Sequence, residues 1–261
     1  MAAPDKWLHW ALGHIPRPWL IRLSMLTHPL WEPFFRGDGP TDPINGRQYR
    51  RFLPYGYGKL RPGALSPGTL SLERHRALWL YIQEHTDWWN TPKKVLHIAP
   101  EQIFHRLFRK NPLWDVTSLD LHSPLADIRA DITRMPLPGN HFDLIFCNHV
   151  LEHIPDDREA MRELFRVLRP GGTAIVQIPL DATRESTFED PSITDPEKRA
   201  ELFGQYDHVR VYGMDFFDRL EAAGFRTEKI RIDKLFTPAE IGRYGLDKHE
   251  ILPLAHKPEQ A

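Results

Sequence analysis

The sequence predicts an α/β fold with a doubly wound, mostly parallel sheet. Short apolar runs alternate with amphipathic segments from residue 71 onward, and the runs are apolar at consecutive positions. Strands of this kind are buried on both faces, which is typical of a parallel sheet covered by helices. With 41% hydrophobic and 26% charged residues, the 261-residue chain has the composition of a globular protein, which excludes a disordered or collagen-like one.

The first half of this α/β region contains two helices and three strands. Ser71 is a predicted N-cap, because near-helical spacing of apolar residues follows it up to residue 82. Residues 94–98 read as a strand, and the apolar stripe over 103–108 predicts the helix after it. Residues 116–121 and 142–147 are the next two predicted strands, the second of them fully buried.

The second half continues the alternation. Asp156 and Glu159 resemble a capping box at the start of a helix over 156–168, and Pro170-Gly171-Gly172 ends that helix before a strand at 173–178. Residues 181–213 are a polar insertion longer than an ordinary connection, and such insertions are usually functional or mobile. The remaining predicted elements are a helix at 214–223 closed by Gly224 and strands at 225–232 and within 250–256.

Residues 1–70 form an extension that differs from the main domain, 71–261, in composition. They are rich in Trp, Pro and Arg without sustained periodicity, so we expect short helical pieces and turns that pack on the main domain. Residues 1–110 hold 16 Lys and Arg against 8 Asp and Glu, although the net charge of the chain is −1. Such a basic segment suits a phosphate, a carboxylate or an anionic lipid surface, whereas no run of like charges indicates nucleic-acid binding. Packing on the main domain, a partner or a membrane interface must cover the large aromatic side chains of Trp7, Trp10, Trp19, Trp31, Phe34 and Phe35.

Cysteine usage and hydropathy indicate the compartment. Cys147 is the single cysteine, so an intramolecular disulfide and a cysteine-based zinc site are both excluded. No 18-residue apolar run occurs near the N-terminus, so we expect neither a signal peptide nor a spanning helix there. These features predict a cytoplasmic protein.

Candidate binding residues follow the predicted strands. Ligands of open α/β sheets bind beyond the carboxyl ends of the strands, where residues 99–101, Asp120, Asp131, Asn148 and His149 are expected. Asp120 lies 19 positions after Glu101, which is about the spacing at which an acidic side chain binds ribose hydroxyls. The set predicts a pocket with acceptors for a ribose and an amino-bearing ring.

Three segments carry a family resemblance: ADITRMPLP at 130–138, FDLIFCNHVLEHI at 142–154 and LRPGG at 168–172. They resemble the class I S-adenosylmethionine-dependent methyltransferases, in the branch with a type 11 domain. The resemblance implies a Rossmann-like, seven-stranded sheet, S-adenosylmethionine as cofactor, and methyl transfer to a small molecule. The absence of Gly-x-Gly-x-x-Gly argues against a nicotinamide-dependent oxidoreductase.

The resemblance also implies roles for individual positions. The turn after the first strand would face the methionine part of the cofactor, and Asp120 would bind the ribose. Asp131 and Ile132 would contact the adenine. Asn148 and His149 would flank the methionine and the sulfonium. The implied cofactor-binding residues are His97, Ala99, Pro100, Glu101, Asp120, Leu121, Asp131, Ile132, Asn148 and His149. His97-Ile98-Ala99-Pro100-Glu101 replaces the usual glycine-rich turn. Either this turn holds the cofactor differently, with Glu101 binding the methionine ammonium, or cofactor binding has been lost.

A second resemblance concerns the extension. Related methyltransferases that contain the Ser71–Arg76 sequence often carry two Cys-Pro-x-Cys knuckles before it. At those places this chain has residues 42–46 and 66–69, whose Asp, Asn, Ser and Thr side chains do not form a tetrahedral zinc site. We therefore expect a knuckle without metal, and no metal ligands elsewhere.

Three histidines are candidate general bases, because an imidazole can remove a proton near neutral pH. His149 is the first candidate, with cofactor packing as its alternative role. His153 is the second candidate; its alternative is a position at the start of a helix without a chemical role. His208 is the third candidate. Asp207, His208, Arg210 and Tyr212 precede Gly213 and predict a substrate-binding lid with an Arg210 clamp for an anionic group, unless the segment is a solvated loop.

Three functions remain open from the sequence. The first is methylation of O or N on a small molecule, such as an anionic metabolite, a sugar or a lipid precursor. The second is a non-catalytic S-adenosylmethionine-binding or regulatory protein. The third is a membrane-surface protein, recruited by its Trp-rich N-terminus, that methylates a lipid-linked substrate. The oligomeric state is not predicted.

Overall fold

The computed structural model describes residues 30–56 and 60–259. Its strands are β1 (Arg36–Asp42), β2 (Arg47–Tyr49), β3 (Leu53–Tyr55), β4 (Arg61–Leu65), β5 (Lys93–Ile98), β6 (Trp114–Asp120), β7 (Ile128–Arg129), β8 (Phe142–Cys147), β9 (Leu168–Ile175), β10 (Phe188–Glu189), β11 (Arg210–Val211), β12 (Arg226–Arg231) and β13 (Ile251–His256). Its α-helices are α1 (Glu73–His85), α2 (Gln102–Phe108), α3 (Asp157–Val167), α4 (Pro196–Phe203), α5 (Phe216–Ala222), α6 (Ile232–Leu235) and α7 (Pro238–Tyr244). Short 3₁₀ helices span Glu32–Phe35, Trp88–Asn90 and Leu151–His153.

Seven strands form the main sheet in the order β12-β13-β9-β8-β5-β6-β7. β13 is antiparallel to both of its neighbours, and the strands from β9 to β7 are parallel. The carboxyl ends of β5, β6 and β8 therefore meet at one edge. The predicted doubly wound, seven-stranded α/β fold is confirmed.

Apolar side chains cover both faces of the sheet. All six residues of β8 are buried, and five of them are apolar, Asp143 being the exception. One apolar cluster packs α3 and α5 against one face of the sheet. A second cluster packs α1 and α2 against the other face. The binding edge therefore rests on a rigid, close-packed support.

Two predicted boundaries are wrong. Ser71 is not the N-cap of α1: Leu72 takes that position, and its backbone N–H donates to His75 Nδ1 at 3.1 Å. The strand predicted at 173–178 already starts at Leu168, directly after α3. Residues 170–172 lie within β9, where the register to β8 shifts, so this Pro-Gly-Gly segment forms an irregularity inside a strand.

The described part of the extension contains the short 3₁₀ helix Glu32–Phe35, a helical piece of the expected kind, and two β-hairpins that were not expected. β1 pairs with β2 and β3 with β4, both antiparallel. Gly46 has a φ of +70° in the first turn, where Asn45-Gly46 was a local hairpin signal. Trp7, Trp10 and Trp19 lie outside the described residues.

Asp42 joins the two segments predicted to resemble knuckles. Its carboxylate is fully buried, and Oδ2 accepts hydrogen bonds from Ser66 Oγ and Thr69 Oγ1, both at 2.5 Å. Oδ1 accepts from the Ile44 backbone N–H at 2.9 Å. One carboxylate thus links both loops. That these loops form a knuckle without metal stays a prediction.

The polar insertion is folded. It contains β10, α4 and β11, and β10 pairs with β11. Within the described ranges, no helix combines the length and the hydropathy needed to cross a bilayer.

Candidate functional site

Two residues leave the sheet edge in a left-handed conformation. Ala99 after β5 has a φ of +46°, and His149 after β8 has a φ of +54°. Their backbone N–H groups are held by neighbouring strands: Ala99 donates to the Leu119 carbonyl and His149 to the Gln177 carbonyl, each at 2.8 Å. Non-glycine residues in this region are strained, and such strain clusters at functional sites. Ala99 thus takes the backbone conformation for which a glycine-rich turn would normally be used.

Glu101 is the centre of a polar cluster at this edge. Its Oε1 accepts hydrogen bonds from His75 Nε2 at 2.7 Å and Arg74 Nη2 at 3.1 Å, and its Oε2 accepts from Asn148 Nδ2 at 3.2 Å. His75 Nδ1 accepts a hydrogen bond from Leu72, so the proton of the neutral ring lies on Nε2. Burial raises the pKa of Glu101, but His75 and Arg74 together hold it well below its usual range. Glu101 is therefore a carboxylate at neutral pH.

Unpartnered atoms surround this carboxylate. Arg74 Nε and Asn148 Oδ1 are buried without a hydrogen-bond partner. Buried polar atoms are almost always hydrogen-bonded, so atoms of this kind suit a ligand. An anionic carboxylate, an amide acceptor and a guanidinium donor at one edge are complementary to the ammonium and carboxylate of an amino acid. The methionine part of S-adenosylmethionine fits this donor set.

The predicted ribose and adenine residues lie along the same edge. Asp120 ends β6, and its Oδ1 accepts the backbone N–H groups of His122 at 2.6 Å and Ser123 at 2.5 Å. Asp131 is exposed and its Oδ1 accepts from Thr133, whereas Ile132 is buried in the core. Leu121 is 47% exposed.

His97 lies elsewhere. Its ring is 1% exposed and packs against Phe108 and Phe146, with centroid distances of 5.3 and 6.4 Å. Burial lowers its pKa to about 4, so the ring is neutral. Pro100 is also buried. The structure therefore favours a core-packing role for His97 over the cofactor contact predicted from its position.

His149 and Glu152 form a hydrogen-bonded pair. His149 Nδ1 is 3.3 Å from Glu152 Oε1, and Glu152 is 1% exposed. Burial raises the pKa of Glu152, but the hydrogen bond and charge of His149, together with a backbone hydrogen bond and the nearby His153, keep the pKa below its usual value. His149 Nε2 is buried without a partner. A buried carboxylate that holds one imidazole nitrogen leaves the other with its lone pair, which is the arrangement of a histidine general base.

His149 also borders a cavity of about 220 Å³ between the end of β8 and the loop before β13. Pro179, Leu180, Asp247 and Glu250 are among its other lining residues. Burial raises the pKa of Glu250. A cavity of about 290 Å³ lies between the N-terminal hairpins and α2, and none of its lining residues belongs to the predicted site.

The structure brings together His153, Asp207 and His208. His153 Nδ1 is 3.3 Å from the Asp207 carbonyl oxygen and 3.5 Å from its Oδ2, and the rings of His153 and His208 meet edge to face at 4.7 Å. His208 is 3% exposed and its Nδ1 lies 3.1 Å from the Phe203 carbonyl oxygen.

Arg210 and Tyr212 have internal partners instead of facing a substrate. Arg210 is 4% exposed, and its guanidinium donates to the carbonyls of Leu151, Ile154 and Pro155 and to Glu189. The Tyr212 hydroxyl donates to Asp157 Oδ2 at 2.7 Å. Both side chains fasten the insertion to the main domain, so the geometry argues against an anion clamp at Arg210.

Sequence reasoning missed four residues of this site: Arg74, His75, Glu152 and Glu250. Glu152 follows His149 by three positions, a spacing that permits a side-chain contact within one turn. The contacts of Arg74 and His75 with Glu101 connect residues 27 and 26 positions apart, and no local pattern reports them.

Comparison with known proteins gives a family match for the centre of the chain. Residues 98–176 match the family model described as "Methyltransferase domain". The demethylmenaquinone methyltransferase of Chlamydia trachomatis serovar L2 is 38% identical over 66 residues, which cover 25% of this chain and 28% of that protein. A "Probable S-adenosylmethionine-dependent methyltransferase" of Mycolicibacterium smegmatis is 32% identical over 106 residues, 40% of this chain and 37% of that protein. The matched segments thus span well under half of these relatives.

A solved structure with a similar fold is the Burkholderia thailandensis 1,6-didemethyltoxoflavin-N1-methyltransferase with bound 1,6-didemethyltoxoflavin and S-adenosylhomocysteine. It is 15% identical, with a TM-score of 0.49, over 72% of this chain and 78% of that chain. The family match covers β8, the Asp131 turn and all of β9, which are the segments that carried the resemblance. Residues 98–176 of this chain thus form a methyltransferase domain similar to that of S-adenosylmethionine-dependent methyltransferases.

Proposed function

We propose that the protein transfers the methyl group of S-adenosylmethionine to an oxygen or nitrogen atom of a small molecule. The observation that carries this proposal is the His149 ring, which is held by Glu152 on one side and has an unpartnered, buried Nε2 beside a cavity. S-adenosylmethionine, when bound, supplies a methyl group on a sulfonium for in-line displacement. The protein's main tasks are then to align the acceptor and to remove its proton.

Residues of the sheet edge would hold the cofactor. Glu101 Oε2 and Asn148 Oδ1 are suited to accept hydrogen bonds from the methionine ammonium, and Arg74 Nε to donate to its carboxylate. Asp120 would accept the ribose hydroxyls, and the Asp131 and Ile132 turn would border the adenine. These roles follow from the unpartnered atoms and from the resemblance, and mutagenesis can test each of them.

His149 would act as the general base. Glu152 orients the ring by accepting from Nδ1–H, so Nε2 can take the proton of an acceptor hydroxyl or amine. The other two predicted bases, His153 and His208, cluster with Glu152 instead of with the cavity.

The charged groups around the cavity indicate which charge the methyl acceptor can carry. Asp247 and Glu250 line it, and none of its lining residues in the described part of the chain is Lys or Arg. Because Arg210 is engaged internally, the observed groups favour an uncharged or cationic acceptor over the anionic one suggested by the basic N-terminal half.

Calorimetric titration with S-adenosylmethionine and S-adenosylhomocysteine tests the cofactor site. We expect micromolar binding that Asp120→Ala weakens by at least about tenfold, because a charge-assisted hydrogen bond contributes roughly 1.5–3 kcal/mol. Asp115→Ala is the matched control, since Asp115 is an exposed residue of the same strand. Folded protein that binds neither ligand would contradict the proposal.

Transfer of labelled methyl groups to a panel of amine and hydroxyl acceptors tests catalysis. His149→Asn removes the base while keeping a residue type that tolerates a positive φ. Its turnover is expected to fall by about 10²–10⁴-fold with little change in cofactor affinity. Cofactor binding without turnover on any acceptor would favour the non-catalytic alternative.

A further inference from the structure

Three side chains near His149 form a cluster that the proposed methyl transfer does not use. Glu152 and His153 lie on the 3₁₀ helix after β8, and His208 lies at the end of the insertion. One ligand atom of each lies within 4.8 Å of the others. In the part of the chain that the structure describes, this is the one group of three such residues with this spacing.

Hydrogen bonds to carbonyl oxygens fix the tautomer of each histidine. A carbonyl oxygen only accepts, so His208 Nδ1, 3.1 Å from the Phe203 oxygen, carries the proton. His153 Nδ1 lies 3.3 Å from the Asp207 carbonyl oxygen and carries its proton for the same reason. In its neutral form, each ring therefore keeps a lone pair on Nε2. Metal-binding histidines usually have this outer hydrogen bond, which orients the ring and fixes its tautomer.

The cluster contains buried acceptors with no donor. Glu152 is 1% exposed and its Oε2 has no partner, and His208 is 3% exposed and its Nε2 has none. Burial of unpaired acceptors is costly, and a carboxylate costs most. A single cation would satisfy the carboxylate and both imidazoles, and no side-chain donor of the described residues does so.

We propose that Glu152, His153 and His208 bind a divalent transition-metal ion of the Zn²⁺ type. Two imidazole nitrogens and one carboxylate oxygen are a ligand set found in zinc sites with an open fourth position. Imidazole ligands favour Zn²⁺, Co²⁺ and related ions over Mg²⁺ and Ca²⁺, which take oxygen ligands. The sequence predicts no metal ligands on the ground that cysteines are lacking, whereas this cluster consists of glutamate and histidine.

Glu152 connects the metal site to the cavity. Its Oε1 is the partner of His149 Nδ1, so a bound ion at Oε2 would fix the carboxylate that orients His149. The ion would thus lie on the substrate side of the sheet edge. Metal binding does not depend on methyl transfer, so the two proposals can fail separately.

Titration of the chelator-treated, full-length protein with Zn²⁺ and with Co²⁺ tests the site. We expect one saturable site per chain that Mg²⁺ does not occupy, a visible Co²⁺ absorption band typical of low coordination number, and a higher Tm with Zn²⁺ present. Loss of a ligand should weaken binding by at least the roughly 10–100-fold measured for outer-shell changes.

Glu152→Gln and His208→Gln are the test variants, and His122→Gln is the matched control. Gln at 208 can still donate to the Phe203 carbonyl, which preserves the local fold, and His122 is exposed outside the cluster. The proposal requires that only the first two variants lose the Co²⁺ band and the Tm increase. It is overturned if the folded wild type shows no saturable binding, or if all three variants bind like the wild type.

Discussion

Side chains from two different elements bind Glu101. His75 and Arg74 come from α1, and Asn148 from the end of β8. The pKa of the Glu101 carboxyl is therefore lowered only in the folded chain, where His75 and Arg74 lie beside it. Its two proposed roles, cofactor binding and attachment of α1 to the sheet edge, can be separated by pH.

Glu101→Gln is expected to weaken S-adenosylmethionine binding by about tenfold or more, because a charge-assisted hydrogen bond becomes a neutral one. It should also lower the free energy of unfolding at pH 7. The folded-state pKa of Glu101 is depressed, so its stabilisation is complete above the unfolded value of about 4.3 and is lost as pH falls through the folded pKa.

Urea unfolding at pH 7 and in acid measures this effect. The difference between wild type and Glu101→Gln should shrink as the pH falls, and Glu84→Gln, an exposed change on α1, should show no such difference. A difference that is the same at both pH values would exclude the ionised carboxylate as its source.

At the scale of elements, the β5–α2 turn depends on the backbone conformation of one residue, and the insertion is attached through backbone carbonyl groups. The turn passes through Ala99 with a φ of +46°. The insertion is attached by Arg210, which binds three carbonyls of the segment from the 3₁₀ helix to the start of α3.

Ala99→Gly should change the free energy of unfolding by less than about 1 kcal/mol, because relief of left-handed strain offsets the greater flexibility of the unfolded chain. Ala99→Val should cost more than about 2 kcal/mol, since a β-branched residue is a genuine outlier at positive φ. Chemical denaturation of both variants checks the contrast. Equal costs would show that the turn does not retain this conformation.

Arg210→Ala should destabilise the protein by about 3 kcal/mol, because several buried carbonyls and Glu189 lose their donor. Thermal and urea unfolding measure the loss. An anion clamp for substrate, by contrast, would leave stability unchanged and raise KM, so the variant distinguishes the two roles.

At the scale of the whole molecule, Arg76 ties the N-terminal hairpins to the C-terminal part. Its guanidinium is fully buried and donates to the carbonyls of Ala64, Ser71, Tyr244 and Gly245. Burial lowers the pKa of Arg76 to about 10, which still leaves it charged at neutral pH.

Arg76→Lys should destabilise the protein by about 3 kcal/mol or more, since an ammonium cannot reproduce the planar fork and leaves buried carbonyls unpaired. Arg158→Lys, an exposed change on α3, is the control and should stay within about 0.5 kcal/mol of the wild type. Equal stability of the two variants would show that the four Arg76 contacts are not required.

The elements that the sequence predicted are those specified by residues close together in the chain. β5, β8 and α3 were predicted to within a residue or two, because consecutive apolar residues and a capping Asp156 are local signals. The strand-end residues Glu101, Asp120, Asn148 and His149 lie along the predicted edge for the same reason. The N-terminal hairpins were not predicted, because Asp42 and Arg76 stabilise them through contacts between distant residues.

The position of β13 also constrains how the chain folds during synthesis. β13 lies between β12 and β9, and two of the four carbonyls that bind Arg76 belong to residues 244–245. The ribosome therefore releases β5 to β9 before the strand that completes their sheet exists. Until residues 251–256 emerge, β9 presents an unpaired edge, the feature through which nascent chains associate wrongly. Completion of the sheet is thus a late event in the synthesis of this chain.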